Sequence, residues 1–301
     1  MRILITFLFV LSMSNFYACE VCGCAATGGS IGAIGSSKGH LVGFNFQGRY
    51  FNSSHPALFS NEIERSKETF YTANLIAKLQ LSKRWQLFGV VPYHYNTENE
   101  QTGERTETIT QGIGDVSISG RYAIVYQADS LQSSAFIVQL GAGVKIPTGR
   151  YSKDAHETKN ALPGTGSWDI PLLANVYYMR TKWMLQWENS FQLKTENSAK
   201  YQFGNSFQSV VFYNRNFTIG TVQFSPGIGL QQDLLMKDKI DGSSTSTFNS
   251  GHMTSVVPGI NLQWKQLFVV LRYNQPIVQH LSKGYTQLKS QFSASLFYTF
   301  K

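Results

Sequence analysis

Three cysteines fall within six residues near the N-terminus, Cys19-x-x-Cys22-x-Cys24, and the chain has no others. Closely spaced thiolates can bind Cu(I) with two or three ligands, because soft sulfur suits a soft ion. They can equally form one disulfide in an oxidising compartment and leave one thiol over. A third chemistry is lipidation of Cys19, although Phe-Tyr-Ala before it makes a poor lipobox. Gly23 follows Cys22 where c-type haem attachment needs His, and three sulfurs are too few for a closed four-thiolate zinc site. Copper is therefore the one cofactor these residues offer as an alternative to none, with a periplasmic metal or redox protein as the partner. Five of six histidines (His55, His94, His156, His252 and His280) fall in or beside polar segments, and Met253 adjoins His252. Imidazole and thioether also suit copper, and ordinary loop histidines look the same. Catalysis would need a nucleophile and a base within hydrogen-bond reach. There is no Gly-x-Ser-x-Gly elbow and no His-Glu-x-x-His helix, so no catalytic residue is assigned and no enzyme is expected.

A second chemical set is dispersed: Arg49, Lys78, Asp115, Arg121, Lys145, Asp169, Glu188, Lys194 and Arg272. Only a periodic element could bring it together, and the period is two. Tyr71, Ala73, Leu75, Ala77, Leu79 and Leu81 are apolar, whereas the interleaved set Phe70, Thr72, Asn74, Ile76, Lys78 and Gln80 is mostly polar. Successive strand residues point to opposite faces, so one row can meet lipid and the other a wet lumen. The same contrast recurs in Phe136, Val138, Leu140, Ala142, Val144 and Ile146 against Gln139 and Lys145. All nine charged residues lie on the inward phase. They can cross-link strands as ion pairs inside a small barrel, or form a polar, mildly anion-favouring constriction.

The alternation predicts twelve strands: 40–51, 68–81, 83–95, 112–126, 134–146, 167–180, 182–194, 204–215, 217–231, 252–264, 266–279 and 287–300. Most exceed ten residues, the length a tilted strand needs to cross the hydrocarbon. Connections after the odd-numbered strands are long and polar; those after the even ones are tight, as at Arg215/Asn216 and Lys265. Short turns face the periplasm in outer-membrane barrels. The expected fold is thus all-β, a single antiparallel up-and-down barrel with both termini periplasmic. Val210 and Phe212 blur the alternation in strand 8. Pro92, Pro171, Pro226 and Pro258 remove ladder donors and mark expected bulges or bends. Trp85, Trp183, Trp264, Tyr126, Tyr178 and Phe300 fall on the outward phase near periplasmic strand ends, and Tyr50, Tyr71, Tyr93 and Trp168 near the outer ends. These are two aromatic girdles.

Residues 1–18 read as a signal peptide: Arg2, an apolar stretch from Ile3 to Met13, then Ala18. Residues 19–39 read as a Cys- and Gly-rich periplasmic leader, and 40–301 as the barrel, multi-pass in the outer membrane of a diderm bacterium. Without Arg2 the chain keeps 25 basic and 18 acidic residues, a net charge near +7. These charges form no basic face, which argues against nucleic acid as a partner. The expected partners are outer-membrane lipid, a small-molecule solute and the barrel-assembly machinery. The closing run Phe292, Ala294, Leu296, Tyr298, Phe300 has the form of the C-terminal strand that machinery recognises.

Three segments, Gly112-Ile-Gly-Asp115, Lys145-Ile-Pro-Thr-Gly149 and Pro163-Gly-Thr-Gly-Ser-Trp-Asp169, resemble those of the outer-membrane family labelled "putative MetA pathway of phenol degradation". The motifs cover about 112–170, and the strand rhythm extends the resemblance over most of the barrel. The resemblance implies a porin-like transporter, with small aromatic or apolar compounds as the solute class. The expected function is passive passage of small solutes through a narrow polar lumen. The alternative is a copper-linked module whose N-terminal thiolates the barrel anchors.

Overall fold

A computed structural model describes residues 39–56, 63–100, 107–129, 134–152, 161–244 and 250–300. Twelve strands form a ring: β1 (His40–Pro56), β2 (Ile63–Gln80), β3 (Trp85–Glu100), β4 (Glu107–Ile113 and Val116–Asp129), β5 (Ser134–Ile146), β6 (Asp169–Arg180), β7 (Trp183–Lys194), β8 (Ser206–Arg215, continued by Phe217–Ile219), β9 (Val222–Leu235), β10 (Gly251–Trp264), β11 (Leu267–Leu281) and β12 (Thr286–Phe300). Each pairs antiparallel with its sequence neighbours, and β1 pairs with β12 from His40↔Phe300 to Ser53↔Thr286. Closure removes both sheet edges, so every strand can be paired on both sides without water. This is the condition for spanning hydrocarbon with strands.

The two faces are chemically opposite. Outside, Phe44, Leu75, Leu81, Ile118, Leu140, Leu172, Ile228, Leu230 and Leu296 are exposed around the ring. In water so much apolar surface would aggregate; in a bilayer it is the lipid contact, and it places the protein in the outer membrane. Inside, Asn45, Gln47, Thr72, Asn74, Gln86, Gln139, Asn175 and Gln186 are buried against one another. Aromatic pairs such as Trp85–Tyr122 at 4.8 Å and Tyr178–Trp183 at 5.2 Å cluster near the periplasmic turns. Near the outer side, the Tyr50 and Tyr71 hydroxyls meet at 2.9 Å.

Three expectations need correction in detail. Strands β1, β2 and β3 run past the bilayer length, because polar residues of the segments 52–67 and 96–111 continue the ladder as far as Pro56↔Ile63 and Ser66↔Glu100. The turn after β8 is not at Asn216. Phe217↔Phe224 and Ile219↔Val222 still pair, and the chain reverses at Gly220, whose φ of 59° is left-handed. Asn216 instead ties β8 to the neighbouring turn, donating from its backbone N to Lys182 O at 2.8 Å. Tyr126 is not in the girdle: a bulge between Ala123 and Val125 shifts the register by one, so Tyr126 packs inward with Ile137 and Tyr177. The prolines fall where the ladder is irregular. Pro92, Pro171, Pro226 and Pro258 each sit beside missing rungs on one side, in the ladders β3–β4, β5–β6, β8–β9 and β10–β11 respectively. A residue without N–H is cheapest where no rung is required.

The ladder has one larger break. Strands β11 and β12 pair continuously from Leu267↔Tyr298 to Asn274↔Gln291, and then only at Leu281↔Thr286. Pro276 lies in the break. The Gln279 side chain spans it in place of backbone, donating to Leu288 O at 3.1 Å and accepting from Leu288 N at 2.9 Å.

Candidate functional site: a loop anchored across the lumen

The inward phase brings the dispersed charges to three levels. Lys145, at the outer end of β5, lies 2.6 Å from Asp115 and 2.7 Å from Asp169. Lys194 is the cross-strand partner of Asp169. Deeper in the barrel, the Arg121 guanidinium stacks on Phe88 at 3.9 Å and Arg272 on Phe212 at 4.1 Å. Both act electrostatically on Glu188, whose Oε1 accepts from the Tyr177 hydroxyl at 3.0 Å. Lys78 is fully buried on the same wall as Arg121. Arg49 lies over Phe70 at 5.8 Å, higher on β1. The nine residues therefore do not form one ring. One outer cluster holds a lysine between two aspartates, and a separate inner group sets arginines on aromatic faces.

The outer cluster carries a second task. Asp115 sits in the interruption of β4, where its side chain is free to reach the segment 147–168 instead of a rung. Its Oδ1 accepts from Gly149 N at 3.0 Å, and its Oδ2 accepts from Thr165 N at 3.0 Å and from the Thr165 hydroxyl at 2.9 Å. Lys145 Nζ also donates to Thr165 Oγ1. Ser167 donates to Asp169 Oδ1 at 2.9 Å. Thr148 Oγ1 donates to Gly114 O and accepts from Val116 N, each at 2.9 Å, closing the gap in β4. Gly149 and Gly164 touch so closely that a Cβ on Gly164 would lie 2.5 Å from the Gly149 carbonyl carbon. Here the glycines are required by close approach rather than by turn geometry.

Held this way, the segment crosses the mouth. Ala161, Leu162, Pro163 and Gly164 are all buried. Ala161 O accepts from Asn96 Nδ2 at 2.7 Å and from the Thr110 hydroxyl at 2.6 Å. Ala161 joins one buried apolar cluster with Phe51, Phe70, Met253, Leu281 and Leu288. Those residues belong to β1, β2, β10, β11 and β12, on the far side of the ring from the anchor at β4–β6. The segment thus links opposite walls and divides a polar lumen from an apolar patch near the outer rim.

Sequence reasoning missed Thr165, Asn96 and Thr110, which look like loop and strand polar residues until the segment folds back on them. It also missed the aromatic platforms Phe88 and Phe212. Their signal was available, since each is a large apolar residue on the inward phase. Val210 and Phe212, which blurred the alternation, pack inward with Val257. His94 is half-buried, with Nδ1 3.1 Å from the Thr72 hydroxyl. Cys19, Cys22 and Cys24, the signal at 1–18, His156 and all of the leader but Gly39 lie outside the described residues.

The family described as "Putative MetA-pathway of phenol degradation" matches residues 68–277, more than half of the chain and all of the anchor. The chain belongs to this family. No curated protein matches it. In fold it is similar to an outer membrane channel from Pseudomonas putida F1, with a TM-score of 0.64 at 14% identity over 88% of this chain and 96% of that one. Looser likenesses are the β-domain of the Bordetella autotransporter Brka, with a TM-score of 0.47 at 9% identity over 87% and 100% of the two chains, and the NanC porin, with 0.42 at 12% over 86% and 99%. At these identities the likeness is one of fold.

Proposed function

We propose that this family member is a passive outer-membrane channel for small solutes, whose bore is set by the segment 161–168 lying across its outer mouth. The observation that carries the reading is the link from the Asp115–Lys145–Asp169 cluster on one wall to the Ala161 contacts on the other. Twelve strands lie between the eight that side chains can fill and the sixteen or more that leave a wide aqueous bore. A crossing segment narrows such a lumen further. Lumen charge then tunes selectivity. In the deeper group Arg121, Arg272 and Lys78 outnumber Glu188, while nearer the mouth Lys145 is matched by its two aspartates, so the deeper passage favours anions. Both amide atoms of Gln186 lack partners among the described residues. Buried amides unsatisfied by protein are costly unless water or a solute serves them.

The test is conductance of the purified, folded protein in planar bilayers. Small, salt-dependent steps that shift towards cations in Arg121→Glu, and that grow when 161–164 is shortened, support the reading. Silent bilayers from folded protein would overturn it. A solute with apolar character is favoured by the patch of Phe51, Phe70, Met253, Leu281 and Leu288 beyond the crossing segment. Small phenols should then lower the current in a dose-dependent way, and Phe51→Ala with Phe70→Ala should weaken that block. Equal block in both proteins would remove the aromatic preference while leaving the channel.

A further inference from the structure

His252 and His280 lie directly opposite each other on β10 and β11, one rung from the outer end of that ladder. Both rings are exposed, and both project from the outer face, because Met253 and Leu281 beside them are buried inside. Their centroids are 6.0 Å apart with planes inclined by 36°. We propose that this pair is a binding site for a divalent transition-metal ion, bound by one imidazole from each strand with water completing the coordination.

The geometry carries the proposal. An imidazole nitrogen sits about 2.1 Å from such an ion and the ring centre about 1.1 Å beyond, so two ligating rings have centres about 4.5–6.4 Å apart. The observed separation falls inside that range before any ion is added. Directly opposed strand residues on one face are held at a spacing of about 4.5–5.5 Å between Cβ atoms, so the backbone prepays most of the entropy of bringing two ligands together. Imidazole suits Cu(II), Ni(II) and Zn(II), and the divalent series peaks at copper, so Cu(II) binds most tightly. Hard cations such as Mg(II) and Ca(II) prefer oxygen and are excluded.

The position gives the ion a structural consequence. Strand β11 has parted from β12 over residues 275–280, and its ladder to β10 shifts register between Thr254 and Ser255. His280 is the last residue of β11 before it rejoins β12 at Leu281. An ion bridging His252 and His280 fastens β11 to β10 at the point where its other neighbour has let go.

The experiment uses the full chain, folded in detergent with its cysteines alkylated so that thiolates do not compete for copper. Cu(II) is titrated against wild type, His252→Ala and His280→Ala, with electron paramagnetic resonance reading the nitrogens on the ion. The expected result is one equivalent with a two-nitrogen pattern, at least tenfold weaker in each variant. Both histidines are exposed, so neither variant should lose its fold, and retained heat-modifiable migration confirms that. Unchanged affinity and an unchanged nitrogen pattern in both variants would overturn the site. Loss in only one of them would overturn the bridge.

Discussion

Two sides of one barrel have solved the same problem in opposite ways. At β4–β6 the ladder is interrupted at Gly114 and Asp115, and at 143–144 against 170–171, yet the gaps are filled with charge and hydrogen bonds. At β11–β12 the ladder is also interrupted, and there a single neutral side chain, Gln279, holds the strands. The first interruption is a socket, and the second is a seam. The difference teaches that a missing rung is not by itself a weakness: what matters is whether the freed groups find partners of equal strength, and here one side has a buried lysine between two carboxylates while the other has one amide.

The largest effect should come from emptying the socket. Lys145→Met leaves Asp115 and Asp169 buried near each other with no cation between them. Removing one partner of a buried ion pair costs about 3–5 kcal/mol, because the remaining charge is stranded. Urea unfolding in detergent should show a loss of that size, and the bilayer current should rise as 161–168 leaves the mouth. A normal current with normal stability would show that the segment is held by its Ala161 contacts alone. The triple change Asp115→Asn, Lys145→Met, Asp169→Asn should recover most of the stability without recovering the narrow bore.

Breaking the seam should cost less. Gln279→Ala removes two neutral hydrogen bonds, each worth about 0.5–1.5 kcal/mol net. Amide exchange at Leu288 should accelerate while exchange at Ser295, deep in the paired half of β12, stays unchanged. Uniform acceleration along β12 would mean that the seam and the paired half open together. Of similar size is Phe88→Leu, which removes the aromatic face under Arg121. A desolvated cation–π contact contributes about 2 kcal/mol, and the loss should fall to near zero in an Arg121→Met background, since the two changes remove one interaction.

The barrel was legible because its signal repeats: the same alternation recurs along most of the twelve strands, and local errors cannot displace the whole. Errors gathered where the period breaks. A single extra residue at Ile124 turned Tyr126 to the other face, and Gly220 outcompeted Asn216 for the turn because it takes φ of 59° at no steric cost. The inward phase puts Asp115, Lys145 and Asp169 on one face, but their meeting depends on the interruption of β4, which has no period to read. The crossing segment was the least visible part. Its motif Pro163-Gly-Thr-Gly-Ser-Trp-Asp169 reads as turn chemistry, and only the close approach of Gly149 to Gly164 and the reach of Thr165 to Asp115 reveal that it turns inward.

The smallest effect concerns an ion pair that looks like the socket on paper. Lys200 Nζ lies 3.0 Å from Glu196 Oε1, not far from the 2.6 Å of Lys145 to Asp115. The environments differ. Lys200 is 69% exposed and Glu196 37%, against 6% and 4% in the buried pair. In water the attraction is screened and must hold two long side chains still, so such pairs contribute little. Glu196 does raise the Lys200 pKa above its ordinary value, mainly through the hydrogen bond between them. A raised lysine stabilises the folded state below its unfolded pKa and loses that contribution as pH climbs through the folded one, so any effect vanishes only in strongly alkaline solution. Lys200→Ala should therefore unfold at the wild-type urea midpoint at neutral pH, and its current should match wild type. A midpoint shift approaching that of Lys145→Met would show that the outer loops, where Tyr201-Gln202 pairs with Lys239-Ile240, brace the barrel as strongly as its lumen does.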